Sequence, residues 1–318
     1  MHDEQLAKPA RNRKAEAKRA KDKLATRVGA IAAARNDGSL GDDHIKLAQV
    51  LIMCSLPHSQ TDKIQVVRKA RLGDGSYLTV TLTSMSSGVA LPFGRDRKLL
   101  AWIFDRAIRN DDPFVPWTAA TEYQREMGLP EGGRSNKELQ ARFLRIAGLG
   151  IAIERSSNGV TRTRGYKVLV DSTLPQSITG RSIESSQQDL PGMEHRFGIQ
   201  LSSELFADIR QHNVVLPRLL WQTLTGPSQV QDICLWLFVR CYAAASESVI
   251  PWSALQEQFG AEDSNPRRIK LHARHAVRLL ATLWPEAQTS EDPDGIRVRK
   301  VSRALLPDDI TRKRIRRL

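Results

Sequence analysis

Pro116-Trp117-Thr118-Ala119 returns late in the chain as Pro251-Trp252-Ser253-Ala254, and Glu122 returns as Glu257 at the same offset. After each copy comes a loop that cannot continue a helix. The first, Gly128 to Gly133, holds three glycines and Pro130; the second holds Asp263, Ser264 and Asn265 before Pro266. Each loop leads into a basic amphipathic segment and then into a charged hairpin. A unit of helix, turn, basic helix and basic hairpin that occurs twice predicts two tandem winged helix-turn-helix domains in a helix-rich α+β chain.

The basic segments carry the argument. In the second, Ile269, Ala273, Ala276, Val277, Leu280 and Leu283 project onto one face at 100° per residue, while Arg267, Lys270, Arg274 and Arg278 line the other. No Asp or Glu interrupts residues 264 to 284. In the first, Leu139, Phe143 and Ile146 take the apolar side, and Arg134, Lys137, Ala141 and Arg145 repeat the spacing of the basic stripe. A lone basic stripe is most often a solvated face; two in register, each behind a Pro-Trp helix, point to DNA. Arg142, Arg268 and His275 lie on the same two helices and join the candidate DNA-binding set.

Hairpins complete each unit. Ser157-Asn158-Gly159 turns the first, whose returning strand carries Arg162, Arg164 and Lys167. Asp292-Pro293-Asp294-Gly295 turns the second, with Arg297, Arg299 and Lys300 beyond it. Thr118 is the expected N-cap of the first copy's leading helix, and Ser135 with Glu138 forms a capping-box pattern at the start of its basic helix.

Outside the repeats the pattern is coarser. The spacing of Ile45, Leu47, Ala48, Leu51 and Ile52 predicts a helix, and Ile64 to Arg71 with Tyr77 to Thr83 predicts a hairpin around Gly73-Asp74-Gly75. A helix over Asp96 to Arg109 buries Leu99, Leu100, Ile103, Phe104, Ala107 and Ile108, with Trp102 in the core or a domain contact and Arg95, Arg97 and Lys98 solvated. Phe197 to Leu201 reads as a strand, and Leu205 to Gln211, Leu216 to Leu224 and Val230 to Tyr242 as helices, the last apolar nearly all round. The expected boundaries are a basic tail at 1–27, disordered or a solvated helix, a first domain at 28–175, a linker at 176–195, a second domain at 196–305 and a basic tail at 306–318.

Composition narrows the function. The chain has 318 residues and a net charge of +13, but residues 1–27 hold nine Lys or Arg against four acids, and residues 310–318 hold five basic residues and no acid. Most of the excess therefore sits at the ends, as solubilising tails or nonspecific nucleic-acid arms. No apolar run approaches a membrane span, and no secretory signal is expected. Cys54, Cys234 and Cys241 form no Cys-x-x-Cys pair and read as buried free thiols of a cytoplasmic protein.

Enzyme chemistry finds no support. There is no phosphate loop of the Gly-x-x-x-x-Gly-Lys type, and no His-x-His pair of the kind a nickase would use. His272 and His275 lack acidic or thiol partners for a metal and read as polar groups beside the groove. No cofactor and no metal are expected.

Leu91-Pro92-Phe93-Gly94, followed by Arg97, Leu99, Leu100 and Trp102 within the duplicated layout, resembles the plasmid-encoded RepA-type replication initiators of Gram-negative bacteria, over roughly residues 45 to 305. The resemblance implies binding to directly repeated origin sites (iterons), opening of the adjacent duplex, recruitment of a host initiator and the replicative helicase, and repression of the protein's own promoter. It also implies dimers and active monomers, with the first winged helix as the dimer surface. The competing reading is a transcriptional regulator or partition protein with the same architecture. Two readers on one chain would reach successive major grooves about 34 Å apart. The second copy, the more basic, is expected to carry most base-specific binding, and the first to divide its time between DNA and a partner subunit.

Overall fold

The first hairpin turns on Asn158 and Gly159, both at positive φ (50° and 77°), which is the twist a two-residue hairpin needs. It belongs to a computed structural model that describes residues 10–129, 131, 133–173, 198–244, 246–260 and 265–301. The expected linker (176–195) and the C-terminal tail (306–318) lie outside the described residues.

In chain order, α1 (Ala10–Asn36) is followed by a single 3-10 turn (Ser39–Gly41), β1 (His44–Ala48) and α2 (Gln49–Met53). Next come β2 (Gln65–Arg71), β3 (Tyr77–Ser84) and α3 (Asp96–Asn110). The first winged unit is β4 (Phe114–Pro116), α4 (Ala120–Glu126), α5 (Gly133–Ala147), β5 (Leu149–Ser157) and β6 (Val160–Lys167). After β7 (Leu169–Thr173) the description resumes with β8 (Gly198–Leu201), α6 (Ser203–Gln211), β9 (Asn213–Pro217), α7 (Arg218–Thr223) and α8 (Ser228–Ala243). The second unit is β10 (Ser248–Pro251), α9 (Trp252–Phe259), α10 (Pro266–Leu283), β11 (Thr289–Asp292) and β12 (Gly295–Val298). The chain is thus an α+β protein with two winged helix-turn-helix units. Among the described residues no helix is long and apolar enough to cross a membrane.

The two units close differently. In the second, β10 pairs with β12, and β12 with β11, so the leading strand and the wing form one three-stranded sheet. In the first, the wing joins the earlier hairpin in the order β2-β3-β5-β6, and β4 pairs instead with β8, which pairs with β7. A further ladder joins β1 to β9. Strands that follow residue 197 therefore complete sheets begun before residue 117.

Long-range pairing also corrects the local reading. Residues 44–48, expected to be helical, form a strand because Ile45 and Leu47 alternate with His44 and Lys46 and find β9 as a partner. Leu216 lies in that partner strand, and the helix begins only at Arg218. The cap of α4 is Ala119 and lends no side-chain bond, while the Thr118 hydroxyl turns to Glu122. Helix α5 starts two residues before Ser135, so Glu138 lies within the helix and pairs with Arg142 at 2.8 Å. Residues 10–27 belong to α1, and Arg27 donates to the backbone oxygen of Gln222.

One hydrophobic core runs through both units. Trp102 packs edge-on against Trp117 and Tyr123, and Trp117 against Phe143, holding α3, α4 and α5 together. In the second half Trp236 meets Phe259, and Trp284 meets Phe238 and Tyr242. Cys54, Cys234 and Cys241 are buried free thiols, as their apolar settings predicted.

Candidate nucleic-acid interface

Helix α10 begins where Asn265 accepts the Arg267 amide at 3.0 Å and Pro266 occupies the first turn, both standard helix-start chemistry. Ile269, Ala273, Ala276, Leu280 and Leu283 are buried, so the opposite face is fixed outward. There Arg267, Arg268, Arg274, His275 and Arg278 are exposed. Lys270 is half-buried, its ammonium 5.3 Å from the centre of the Trp252 ring. His272 leans inward to Gln229, and burial together with Arg268 and His275 holds its pKa down, so it is a neutral polar group at neutral pH. No cluster that could hold a metal occurs among the described residues.

The second wing meets this helix with mixed charge. The Arg274 guanidinium lies 2.5 Å from Glu291 of β11. Arg297 pairs with Glu247 and Asp292, and Arg299 with Glu247. Arg267 and Arg278, by contrast, form no ion pair with any described residue. Trp252, the echo of Trp117, has another use here: its indole N–H donates to the Pro293 oxygen at 2.9 Å and pins the wing turn to α9.

The first unit departs from the expected DNA-facing arrangement. Arg145 bonds to Asp96 through Nε at 2.6 Å and Nη2 at 2.9 Å, and stacks 4.6 Å from the Phe93 ring centre. Arg142 is buried between Glu138 and Asp96. Both arginines, placed toward DNA by the sequence, are bound to the protein's own carboxylates. The side chains of Arg134 and Lys137 lie outside the described residues. The described exposed positions of α5 are Glu138, Gln140, Ala141 and Leu144, the last 60% exposed.

The first wing sets its arginines on the face shared with the core, where Arg162 and Arg164 nonetheless stay exposed. Register places Arg162 opposite Arg155 and Leu78, and Arg164 opposite Ile153 and Val80, on the sheet face that leads into the core. Arg164 reaches Asp208 of α6 at 3.1 Å. With Arg155, Arg162 and His212 these two residues line a cavity of about 260 Å³. The outward face of this sheet carries Lys69, Arg71 and Lys167 among threonines and Glu154. The buried Tyr166, two and four residues from Arg164 and Arg162, was the sequence signal for this: alternation puts all three on one face.

A second group that the sequence reading missed is at the start of α3. Of Arg95, Arg97 and Lys98, all expected in solvent, Arg95 is exposed, but Arg97 and Lys98 are buried, as is Asp96 beside them. Arg97 donates to Asp232 at 2.5 Å and to the Ser228 oxygen at 2.9 Å, and also reaches the oxygens of Leu56 and Pro57. Lys98 sits 5.9 Å from the Trp221 ring centre, and burial, aided by the positive charge of Arg27, Arg95 and Lys23, lowers its pKa to about 8.

No protein-family model matches the chain, and no curated protein matches it. Among solved structures, the crystal structure of RctB domains 2-3 is similar with a TM-score of 0.44 and 12% identity, over 79% of this chain and 97% of that one. The structure of selenomethionine derivatives of domain 2 and domain 3 of RctB gives a TM-score of 0.46 and 13% identity, over 81% and 100%.

Proposed function

We propose that the protein binds specific double-stranded DNA and initiates plasmid replication by engaging directly repeated origin sites. The observation that supports this is the outward face of α10, where Arg267, Arg268, Arg274, His275 and Arg278 are exposed and no acid lies on the helix. A helix of this kind enters the major groove, where arginine offers paired hydrogen bonds to guanine and other basic groups neutralise phosphates. The wing arginines Arg297 and Arg299 flank it, each balanced by an acid in the DNA-free protein.

On this reading the second unit reads bases. The first, with Glu138, Gln140, Ala141 and Leu144 outward on α5, contacts a partner subunit or a second DNA segment. The chain performs no chemistry of its own and works by recruiting a host initiator and the replicative helicase to DNA it has opened. It also represses its own promoter from a dimeric form.

The test is a footprint of the purified protein on the DNA flanking its own gene. Protection of several direct repeats beside an AT-rich stretch supports initiation. A single protected inverted repeat at the promoter would mark a repressor instead. A plasmid carrying only this gene and its flanks, failing to replicate in every permissive host, would overturn the initiator reading.

A further inference from the structure

Asp96 and Arg97 are neighbours in the first turn of α3; Asp96 grips the first winged unit, and Arg97 grips α8, the helix on which α10 of the second unit packs. Asp96 accepts two bonds from Arg145 of α5 and one from the Phe93 amide at 2.9 Å. Arg97 grips α8 through Asp232 and Ser228, and ties the 56–57 backbone into the same knot. Next to Ser228, Gln229 donates to the Phe259 oxygen at the end of α9 and meets His272 on α10. His58 closes the loop: its Nε2 lies 2.9 Å from the Phe259 oxygen, and its backbone oxygen accepts from the Ser228 hydroxyl.

The connection thus runs from α5 through Arg145, Asp96 and the backbone to Arg97, then through α8 and Gln229 to α10. Adjacent residues on a helix project about 100° apart, so one rigid turn can serve both units without either side chain reaching across the other. Opposite charges fix which ion pair each makes: Asp96 pairs with the arginines of α5, and Arg97 with the carboxylate of α8. Burial pushes the Asp232 carboxyl up to about 6 against the pull of Arg97, which leaves it ionised and paired at neutral pH. Buried ion pairs of this sort contribute geometric definition more dependably than stability.

We propose that Asp96 and Arg97 act as positioning residues that fix the placement of α5 relative to α10, and so set the separation of the two DNA segments that one chain engages. The second clause rests on the DNA-reading function proposed above; the first does not.

Two measurements on the full chain separate them. Spin labels at Gln140→Cys and Leu271→Cys, both at exposed positions, report the distance between α5 and α10, while the native cysteines are buried. The parent gives a narrow distribution; R97M/D232N broadens or shifts it, and R97K, which keeps the charge but loses the fork, does so to a smaller degree. Should R97M/D232N lose its cooperative melt, R97K decides. An unchanged distribution in the folded variant overturns the proposal.

The second measurement compares binding to the footprinted site with binding to the same site carrying about 5 bp, half a helical turn, between its two parts. The parent loses roughly tenfold or more in affinity on the lengthened site, and R97M/D232N loses less than about threefold. Equal discrimination by both proteins overturns the spacing role. Failure of the parent to bind either DNA counts against the DNA reading, and the label distances still judge the positioning.

Discussion

Asp96 and Arg145 meet as a two-bond fork, with Nε to Oδ2 at 2.6 Å and Nη2 to Oδ1 at 2.9 Å, although they belong to different helices and Asp96 is only 1% exposed. A buried carboxylate stripped of its main partner is costly. Arg145→Ala is therefore expected to lower folding stability by about 3 kcal/mol, softened by Arg142 at 3.6 Å, and to leave DNA affinity of the folded fraction nearly unchanged. Chemical denaturation and a binding titration below the melting temperature check both halves; a large affinity loss without a stability loss would contradict the placement.

Arg278 gives the opposite outcome. It is exposed on α10 and forms no ion pair with described residues, so Arg278→Ala leaves stability within about 0.5 kcal/mol. Its removal weakens specific DNA binding by about 1 to 3 kcal/mol, the size of one good base contact. Unchanged protection in a footprint would show that Arg278 does not reach DNA.

On the proposed function, the pair between Arg274 and Glu291 neutralises a charge of the DNA-binding face in the free protein. Both side chains are nearly half exposed, so the pair contributes only about 0 to 1 kcal/mol to folding. Glu291→Gln releases the guanidinium and removes a like charge from the path of the phosphates. Affinity for all DNA rises, and the slope of log affinity against log salt steepens by about one. A flat response in the salt titration would sink this reading.

Lys98 predicts an unusual pH dependence. Its folded pKa of about 8 lies below the ordinary lysine value near ~10.4, so the folded state releases this proton first. Stability then rises as pH climbs from about 8 toward the unfolded value, because the unfolded chain still holds the proton there. Lys98→Met removes the penalty outright. It should raise the melting temperature at pH 7 by more than at pH 9.5, and an equal gain at both values would disprove the assignment to Lys98.

Gly295 opens β12 directly against β10. A Cβ there would lie 1.9 Å from the Ile250 oxygen and 2.7 Å from its carbonyl carbon, both backbone atoms with little room to yield. Gly295→Ala is expected to cost about 1 to 3 kcal/mol and to loosen the second wing. Gly159→Ala, in open space at φ +77°, suffers only backbone strain of roughly 1 kcal/mol. Paired thermal melts distinguish them; equal losses would show that β10 moves aside.

Local signals made the two winged units legible. The apolar faces of α5 and α10 followed from helical spacing, the Asn158-Gly159 turn from its chemistry, and the start of α10 from Asn265 and Pro266. What the sequence concealed was partnership. An arginine stem is long enough to carry its charge around a helix, so the projection that set Arg145 on the outer side could not show that Asp96 was waiting there. Strand β1 looked helical because its identity depends on β9, far along the chain. The Pro-Trp echo was real in position, but Trp117 is core and Trp252 is a fastener for the wing, a difference set by which strand each unit pairs with.

The interleaving of β4 with β8 and of β1 with β9 has a bearing on synthesis. A ribosome delivers the first winged unit, with its α4 and α5, before it delivers the strands that seal the edges of β1 and β4. The first unit therefore waits with its β4 edge open, and β1 ahead of it with another, until residues 198–217 have emerged. The early strands are completed by the middle of the chain, so the first unit cannot be lifted out by recombination as an independent cassette.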